Sequence, residues 1–186
     1  MDTVAAETWT VERLLALTQQ ELALLFAALD SPDRGELDGE YVGHIPFLGL
    51  EEQAERTVRA MMCDERSELG FWLGKAFFPA PAGIGQGYNI WRKAGGQMVR
   101  HLQFGTHFGE SRADQRAALV MTYGTFDNIA ANIGLVDEVR RVTPGLYLGA
   151  GTIEQADGSI QIFGYFVLAG PNGAWVGVDD NDAEAR

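Results

Sequence analysis

The sequence has little cysteine, little positive charge and no long apolar run. Its single cysteine, Cys63, has no partner for an internal disulfide, so nothing in the sequence indicates an oxidising compartment. Lys and Arg number 14 against 26 Asp and Glu, which gives a formal net charge of −12. Because such a surface repels polyanions, we expect neither nucleic acid nor an anionic membrane as a partner.

Segments that would carry the chain into or across a membrane are also missing. No apolar run approaches the ~20 residues of a membrane-spanning helix. Residues 1–7 contain acids where a signal peptide needs a basic region followed by an apolar run. We therefore expect a cytoplasmic protein that does not associate with a membrane.

Familiar catalytic and cofactor motifs do not occur either. The glycines of segment 83–87 resemble a phosphate-binding loop, but a strand-like run follows them instead of the helix that a dinucleotide fingerprint requires. There is no Walker loop, no nucleophile elbow and no metalloprotease helix. His101 and His107 lie roughly 20 Å apart on one predicted strand, too far to bind the same metal ion. We expect no cofactor and no metal.

What the chain does contain is the composition of one ordinary globular domain over residues 1–186, with 46% hydrophobic and 22% charged residues. Apolar residues at helical spacing predict an N-terminal helix over 8–30 and a second helix over 50–66, with a short strand at 36–43 between them. Residues 127–134 are predicted to form a helical turn, and 180–186 a frayed polar tail.

After residue 69 the apolar period changes from helical to alternating. The alternation and the intervening turn residues predict strands at 70–78, 87–93, 97–108, 117–124, 136–142, 145–155, 159–169 and 173–178. So many strands joined by short links predict an antiparallel meander that closes over about 36–178, because closure removes the exposed edges. We expect a mainly β protein (α+β by content), an antiparallel barrel with an N-terminal helix and room for one small ligand.

Polar side chains on these strands are candidates for acid-base chemistry. Lys75 shares a predicted strand face with Phe71, Leu73 and Phe77, while Trp72 falls on the opposite face. If the apolar face lines the barrel, burial lowers the pKa of Lys75 and suits it to act as a base or an anion anchor. The alternative is a lysine whose ammonium reaches solvent at a strand end.

The other candidates follow from the same reasoning. Histidine exchanges protons near neutrality, so His101 is a candidate acid-base residue. Tyr123 lies on a predicted strand face with Leu119 and Met121, and Asp127 follows closely, so a Tyr–Asp acid-base couple at the barrel mouth is a further hypothesis. Asp137 and Arg140 come from a charged run and fall on opposite faces of its predicted strand, and Arg140 is suited to clamp a carboxylate or carbonyl oxygen of a substrate. Each also has a structural interpretation, as a surface histidine, a satisfied core tyrosine or a solvated charge.

Aromatic residues on the alternating strands are expected to line the ligand pocket. Trp72, Trp91, Tyr147 and Tyr165 each combine a large apolar ring with one polar group, as a cavity with a wet mouth requires. Filling of the core beneath the N-terminal helix is the alternative for any one of them. Glycines at 149 and 151 leave open space beside Tyr147, as if a ligand or a ring lies there.

The strand Gly39–Gly43, the segment Trp72–Lys75 and the strand series after them resemble the lipocalin-like (calycin) barrel group. Tyr41 stands where that group usually has a tryptophan, and the helix at 50–66 is atypical. The resemblance implies an eight-stranded barrel that binds a hydrophobic small molecule, and some members are cofactor-free lyases, cyclases or isomerases. The alternative fold is the α+β barrel of ketosteroid isomerase-like proteins.

The expected function is a cofactor-independent acid-base enzyme, a lyase, isomerase or cyclase, acting on a hydrophobic or aromatic small molecule in the barrel cavity. The alternatives are a non-catalytic intracellular carrier of a lipophilic ligand and a purely structural partner protein. The oligomeric state stays open, with a homodimer among the alternatives.

Overall fold

The computed structural model describes residues 8–80 and 84–179. The polar tail expected at 180–186 lies outside the described residues. The elements run along the chain as α1 Val11–Leu15, α2 Gln19–Ala28, β1 Gly39–His44, α3 Glu52–Met62, β2 Phe71–Phe78, β3 Gly85–Arg92, β4 Met98–Glu110, β5 Ala117–Thr122, a 3₁₀ turn Tyr123–Thr125, α4 Ile129–Asn132, β6 Val136–Thr143, β7 Leu146–Glu154 and β8 Ile160–Gly173.

The strands form one closed antiparallel barrel. Each strand pairs with the next along the chain, and β8 pairs with β1 to complete the circle. This confirms the prediction of a mainly β antiparallel barrel with an N-terminal helix and excludes the ketosteroid isomerase-like alternative. No helix in the described part of the chain is both long enough and apolar enough to span a membrane.

Two predicted elements differ from the structure. The helix expected over 8–30 is two helices, because Thr18 caps α2 and exchanges hydrogen bonds with Glu21 in a capping box. The strand expected at 173–178 is wrong, since β8 ends at Gly173 and the eighth barrel strand is β1. The segment after β8 instead lies on the outside of the barrel, where Trp175 packs on Tyr88 with ring centroids 4.5 Å apart.

The two N-terminal helices cover the outer face of β7 and β8. Leu14, Leu22 and Phe26 pack there against Leu148 and Val167, and all of these side chains are buried. The apolar stripe predicted for the N-terminal helix is therefore buried against the outer wall of the barrel, and the helices leave its interior free.

Aromatic rings fill one end of the barrel interior. Tyr41 contacts Phe77 and Tyr147 edge to face, with centroids 5.8 and 5.7 Å apart, and Phe77 contacts Phe104 at 5.7 Å. Tilted and edge-to-face pairs of this kind add stability beyond the area that they bury. This packing leaves a cavity in the rest of the interior.

Candidate functional site

The barrel encloses a cavity of about 240 Å³. Its walls are almost entirely apolar, and at its mouth Met61 of α3, Ile129 of α4 and Ile133, directly after α4, are partly exposed. A mostly apolar concave site with a few polar groups is typical of small-molecule binding. Those polar groups are the side chains of Lys75, Asn89, Tyr123 and Asp137, together with the indole N–H of Trp72, which bonds to Asn89.

Lys75 is the centre of a buried hydrogen-bond cluster on the cavity wall. Its Nζ donates to Asn89 Oδ1 at 2.8 Å, to the Tyr123 hydroxyl at 2.7 Å and to Asp137 Oδ2 at 2.7 Å. These three bonds use all the protons of an ammonium group. The geometry therefore corresponds to a protonated Lys75 paired with an ionised Asp137.

Tyr123 and Asn89 complete the cluster. The Tyr123 hydroxyl donates to Asp137 Oδ2 at 2.8 Å and accepts from Asn89 Nδ2 at 3.1 Å. Asn89 Nδ2 also donates to the Leu102 carbonyl, and Asn89 Oδ1 accepts from Trp72 Nε1, both at 3.1 Å. The lysine, tyrosine and asparagine thus have every side-chain donor satisfied, by the cluster itself and by the Leu102 carbonyl.

Burial dominates the electrostatics of the cluster. It lowers the pKa of Lys75, and the neighbouring Asp137 carboxylate opposes that shift. Burial also raises the pKa of Tyr123 well above its usual value, and the charge of Asp137 adds to this effect. Tyr123 is consequently a neutral phenol at physiological pH, while Lys75 holds its proton less firmly than a lysine in water.

A bulge in β2 places Trp72 inside the barrel with Lys75. The register shifts between Trp72 and Gly74, so the strict alternation predicted for this strand, with Trp72 opposite Lys75, is wrong. Gly74 has φ +147°, and a Cβ there would lie 2.0 Å from the Tyr41 carbonyl oxygen. Leu73 consequently turns outward, where it packs against the outer-face cluster of Ala76, Tyr88 and Ile90.

The glycines of β7 make room for two interior groups. A Cβ on Gly149 would lie 2.2 Å from the ring of Phe166, which confirms that an aromatic ring fills the space predicted there. A Cβ on Gly151 would lie 3.1 Å from Asp137 Oδ1. Gly151 and Asp137 both border the cavity, so the glycine leaves this carboxylate oxygen open to it.

The structure brings three of the five expected catalytic residues together: Lys75, Tyr123 and Asp137. His101 does not join them. Its ring lies beside Trp91 with centroids 5.7 Å apart, and burial, reinforced by the charge of Lys93, lowers its pKa to about 4. His101 is thus a neutral imidazole packed next to the cavity wall.

Arg140 lies on the outer face of β6, away from the cluster. It is fully buried and makes a two-pronged ion pair with Asp114 at 2.6 and 2.7 Å. It also donates to the Phe26 carbonyl at 2.7 Å and to backbone carbonyls of the β4–β5 loop and β5. These contacts tie the N-terminal helix to the barrel, and none reaches the cavity.

The four expected pocket aromatics divide in a similar way. Trp72 and Trp91 border the cavity. Tyr147 lies in the aromatic packing at the filled end, where its hydroxyl donates to Glu36 Oε1 at 3.1 Å. Tyr165 borders the cavity, but its ring packs against Phe26 beneath α2, with centroids 6.2 Å apart.

Sequence reasoning missed Asn89, which bonds to Lys75, Tyr123 and Trp72. The signal was a lone amide in the apolar run of β3, between Tyr88 and Ile90, since a buried amide needs several partners. Over residues 8–80 and 84–179, no three His, Cys, Asp or Glu side chains are grouped as a metal site would require.

Comparison with known proteins supports the fold and gives no information about the function. No family model matches the chain, and no curated protein matches it. A crystal structure of an uncharacterised protein from Thermomonospora curvata is similar, with a TM-score of 0.53 at 18% identity over 84% of this chain and 89% of that one. At this identity the likeness supports the barrel fold alone.

Proposed function

We propose that this protein is a cofactor-independent enzyme that performs acid-base chemistry on a hydrophobic or aromatic small molecule bound in the barrel cavity. The proposed reaction class is that of a lyase, isomerase or cyclase. The observation that carries the proposal is the buried Lys75–Tyr123–Asp137 cluster on the wall of an apolar cavity. Burying an ion pair costs several kcal/mol per ion, roughly, so its presence here favours a role beyond stability.

In this proposal Asp137 is the general base. Its Oδ2 is held by Lys75 and Tyr123, while Oδ1 is open to the cavity beside Gly151. The bonds to Oδ2 fix the direction of the carboxylate, and a fixed base needs little reorganisation when it takes a proton. The Lys75 ammonium then stabilises the negative charge that develops on the substrate.

The architecture adds general support. An eight-stranded barrel with one internal cavity is the plan of the calycin group, whose members bind hydrophobic small molecules and include cofactor-free enzymes. We extend that relationship to this chain as part of the proposal, with the cytoplasm as its compartment.

The second candidate is a non-catalytic carrier of a lipophilic ligand. The observation that favours it is the saturation of the cluster, since Lys75, Tyr123 and Asn89 already donate all their polar hydrogens to acceptors within the protein. A carrier requires only the apolar walls, whereas an enzyme requires proton exchange with the ligand.

Hydrogen–deuterium exchange separates the two candidates without knowledge of the substrate. Enolisable aryl ketones such as propiophenone are incubated with the protein in D₂O, and deuterium at the α-carbon is followed by mass spectrometry. We expect catalysed exchange that falls by at least about a hundredfold in Asp137→Asn, in line with the usual contribution of a general base.

The matched control is Glu154→Gln, which removes a carboxylate from the exposed end of β7 and should leave exchange unchanged. Ketone binding without catalysed exchange would overturn the enzyme proposal and favour the carrier. Absence of binding by any hydrophobic compound in a native mass spectrometry screen would overturn both.

A further inference from the structure

The polar atoms of the cavity wall leave one strong hydrogen-bonding position unused. Lys75 donates all three of its ammonium hydrogens, and Asn89 Oδ1 and Nδ2 each make two bonds. The Tyr123 hydroxyl donates once and accepts twice. Within the described part of the chain, Asp137 Oδ2 accepts two bonds, and Oδ1 accepts none.

The unused position is an acceptor that carries charge. Trp91 borders the cavity, and its Nε1 also has no partner among the described residues, but this atom is buried and presents no accessible surface to a ligand. The open group that a bound molecule meets is therefore the Asp137 Oδ1 atom, beside Gly151. A buried carboxylate oxygen forms stronger hydrogen bonds than a neutral acceptor, and its desolvation is costly when no donor meets it.

Charge selects against a second class of ligand. Lys75 and Asp137 are the only charged residues among the described residues that line the cavity, and they neutralise each other at 2.7 Å. An anionic ligand would have to leave water without a free cation to meet it, and its charge would face Oδ1. Bringing two like charges together at such a site is strongly unfavourable.

We infer that the ligand of this cavity is a neutral, mainly apolar molecule that directs one acidic hydrogen, on a phenol-type hydroxyl or an activated carbon, at Asp137 Oδ1. This inference rests on the proposed function, because it specifies the substrate class of the same cavity. The volume of about 240 Å³ is below the usual range for drug-sized ligands, so the molecule has one or two rings.

Three compounds of one shape test the inference by calorimetric titration: para-propylphenol, para-propylanisole and para-propylbenzoate. The phenol donates a hydrogen bond, the methyl ether cannot, and the benzoate is an anion at neutral pH. We expect the phenol to bind at least about tenfold more tightly than the ether, because its bond is to a charged acceptor. We expect the benzoate to be the weakest of the three.

The variants assign the preference to the carboxylate. Asp137→Asn keeps the shape and removes the charge, so the affinity ratio of phenol to ether should fall towards one. The double variant Lys75→Met with Asp137→Leu removes the whole pair, and it should favour the ether. Glu154→Gln is the control and should keep the wild-type ratio, with circular dichroism confirming that each variant is folded.

The results distinguish failure of this inference from failure of the proposed function. Equal affinities for phenol and ether, or tightest binding of the benzoate, would overturn the inference and leave ligand binding in the cavity intact. No binding of any of the three compounds would overturn the inference together with the cavity as a small-molecule site. A tenfold ratio that persists in Asp137→Asn would assign the donor preference to another group and also refute it.

Discussion

Removing the lysine of the buried cluster should destabilise the barrel strongly. The side chains of Lys75 and Asp137 are only 3% and 7% exposed, and their charged atoms lie 2.7 Å apart. Lys75→Met leaves a carboxylate in an apolar interior without its counter-charge, which typically costs about 3–5 kcal/mol. Domains have a free energy of unfolding of only about 5–15 kcal/mol, so the loss is readily measured by urea unfolding at pH 7.

The double variant gives the decisive comparison. Lys75→Met with Asp137→Leu removes both charges, so the desolvation penalty of the unpaired carboxylate disappears. Tyr123 and Asn89 still lose partners, and at about 1 kcal/mol for each neutral bond we expect a net loss of about 1–3 kcal/mol. The double variant should therefore be more stable than Lys75→Met alone. A double variant that is no more stable than Lys75→Met would refute the presence of a desolvated ion pair. A loss below about 1 kcal/mol in Lys75→Met alone would refute it as well.

Three further predictions concern residues outside this pair. Arg140→Met should lower the free energy of unfolding by about 3–5 kcal/mol with no change in ligand affinity, and a specific loss of affinity would contradict its structural role. Burial lowers the pKa of His101 to about 4, so stability should fall by about 2 kcal/mol as the pH drops from 6.5 to 4, and His101→Gln should remove this slope. Gly149→Ala should cost about 1–3 kcal/mol, because the new methyl group meets the Phe166 ring, and a neutral result would show that the ring moves freely.

The strands were predictable because their alternation is local. Seven of the eight strands predicted after residue 69 are present, since inward apolar and outward polar residues follow the pleat whatever the partner strand is. The eighth failed because residues 173–178 carry the same alternation while packing on the outside of the barrel. Which strand closes a barrel depends on pairing between the two ends of the chain, and a local pattern does not contain that information.

The site was predictable in part. Alternation correctly placed Tyr123 with Leu119 and Met121, which line the interior, and it correctly placed Asp137 and Arg140 on opposite faces of β6. It could not say which of these faces is the interior, because the outer face of β6 is also buried, under α2 and the β4–β5 loop. A covered outer wall gives both faces of a strand a buried pattern, so a charged residue on either face has the same sequence signature.

The bulge at Gly74 connects the fold to the chemistry. Without it, Trp72 and Lys75 would point to opposite sides of β2, and Asn89 Oδ1 would lose its bond from the indole. The bulge needs a residue with φ +147° whose Cβ position is occupied by the Tyr41 carbonyl, a demand that only glycine meets. The bulge that makes the alternation-based prediction wrong for Trp72 therefore also places the Trp72 indole where it donates to Asn89. In this barrel an irregular position in a strand, the kind of position often found beside functional sites, thus forms part of the candidate site.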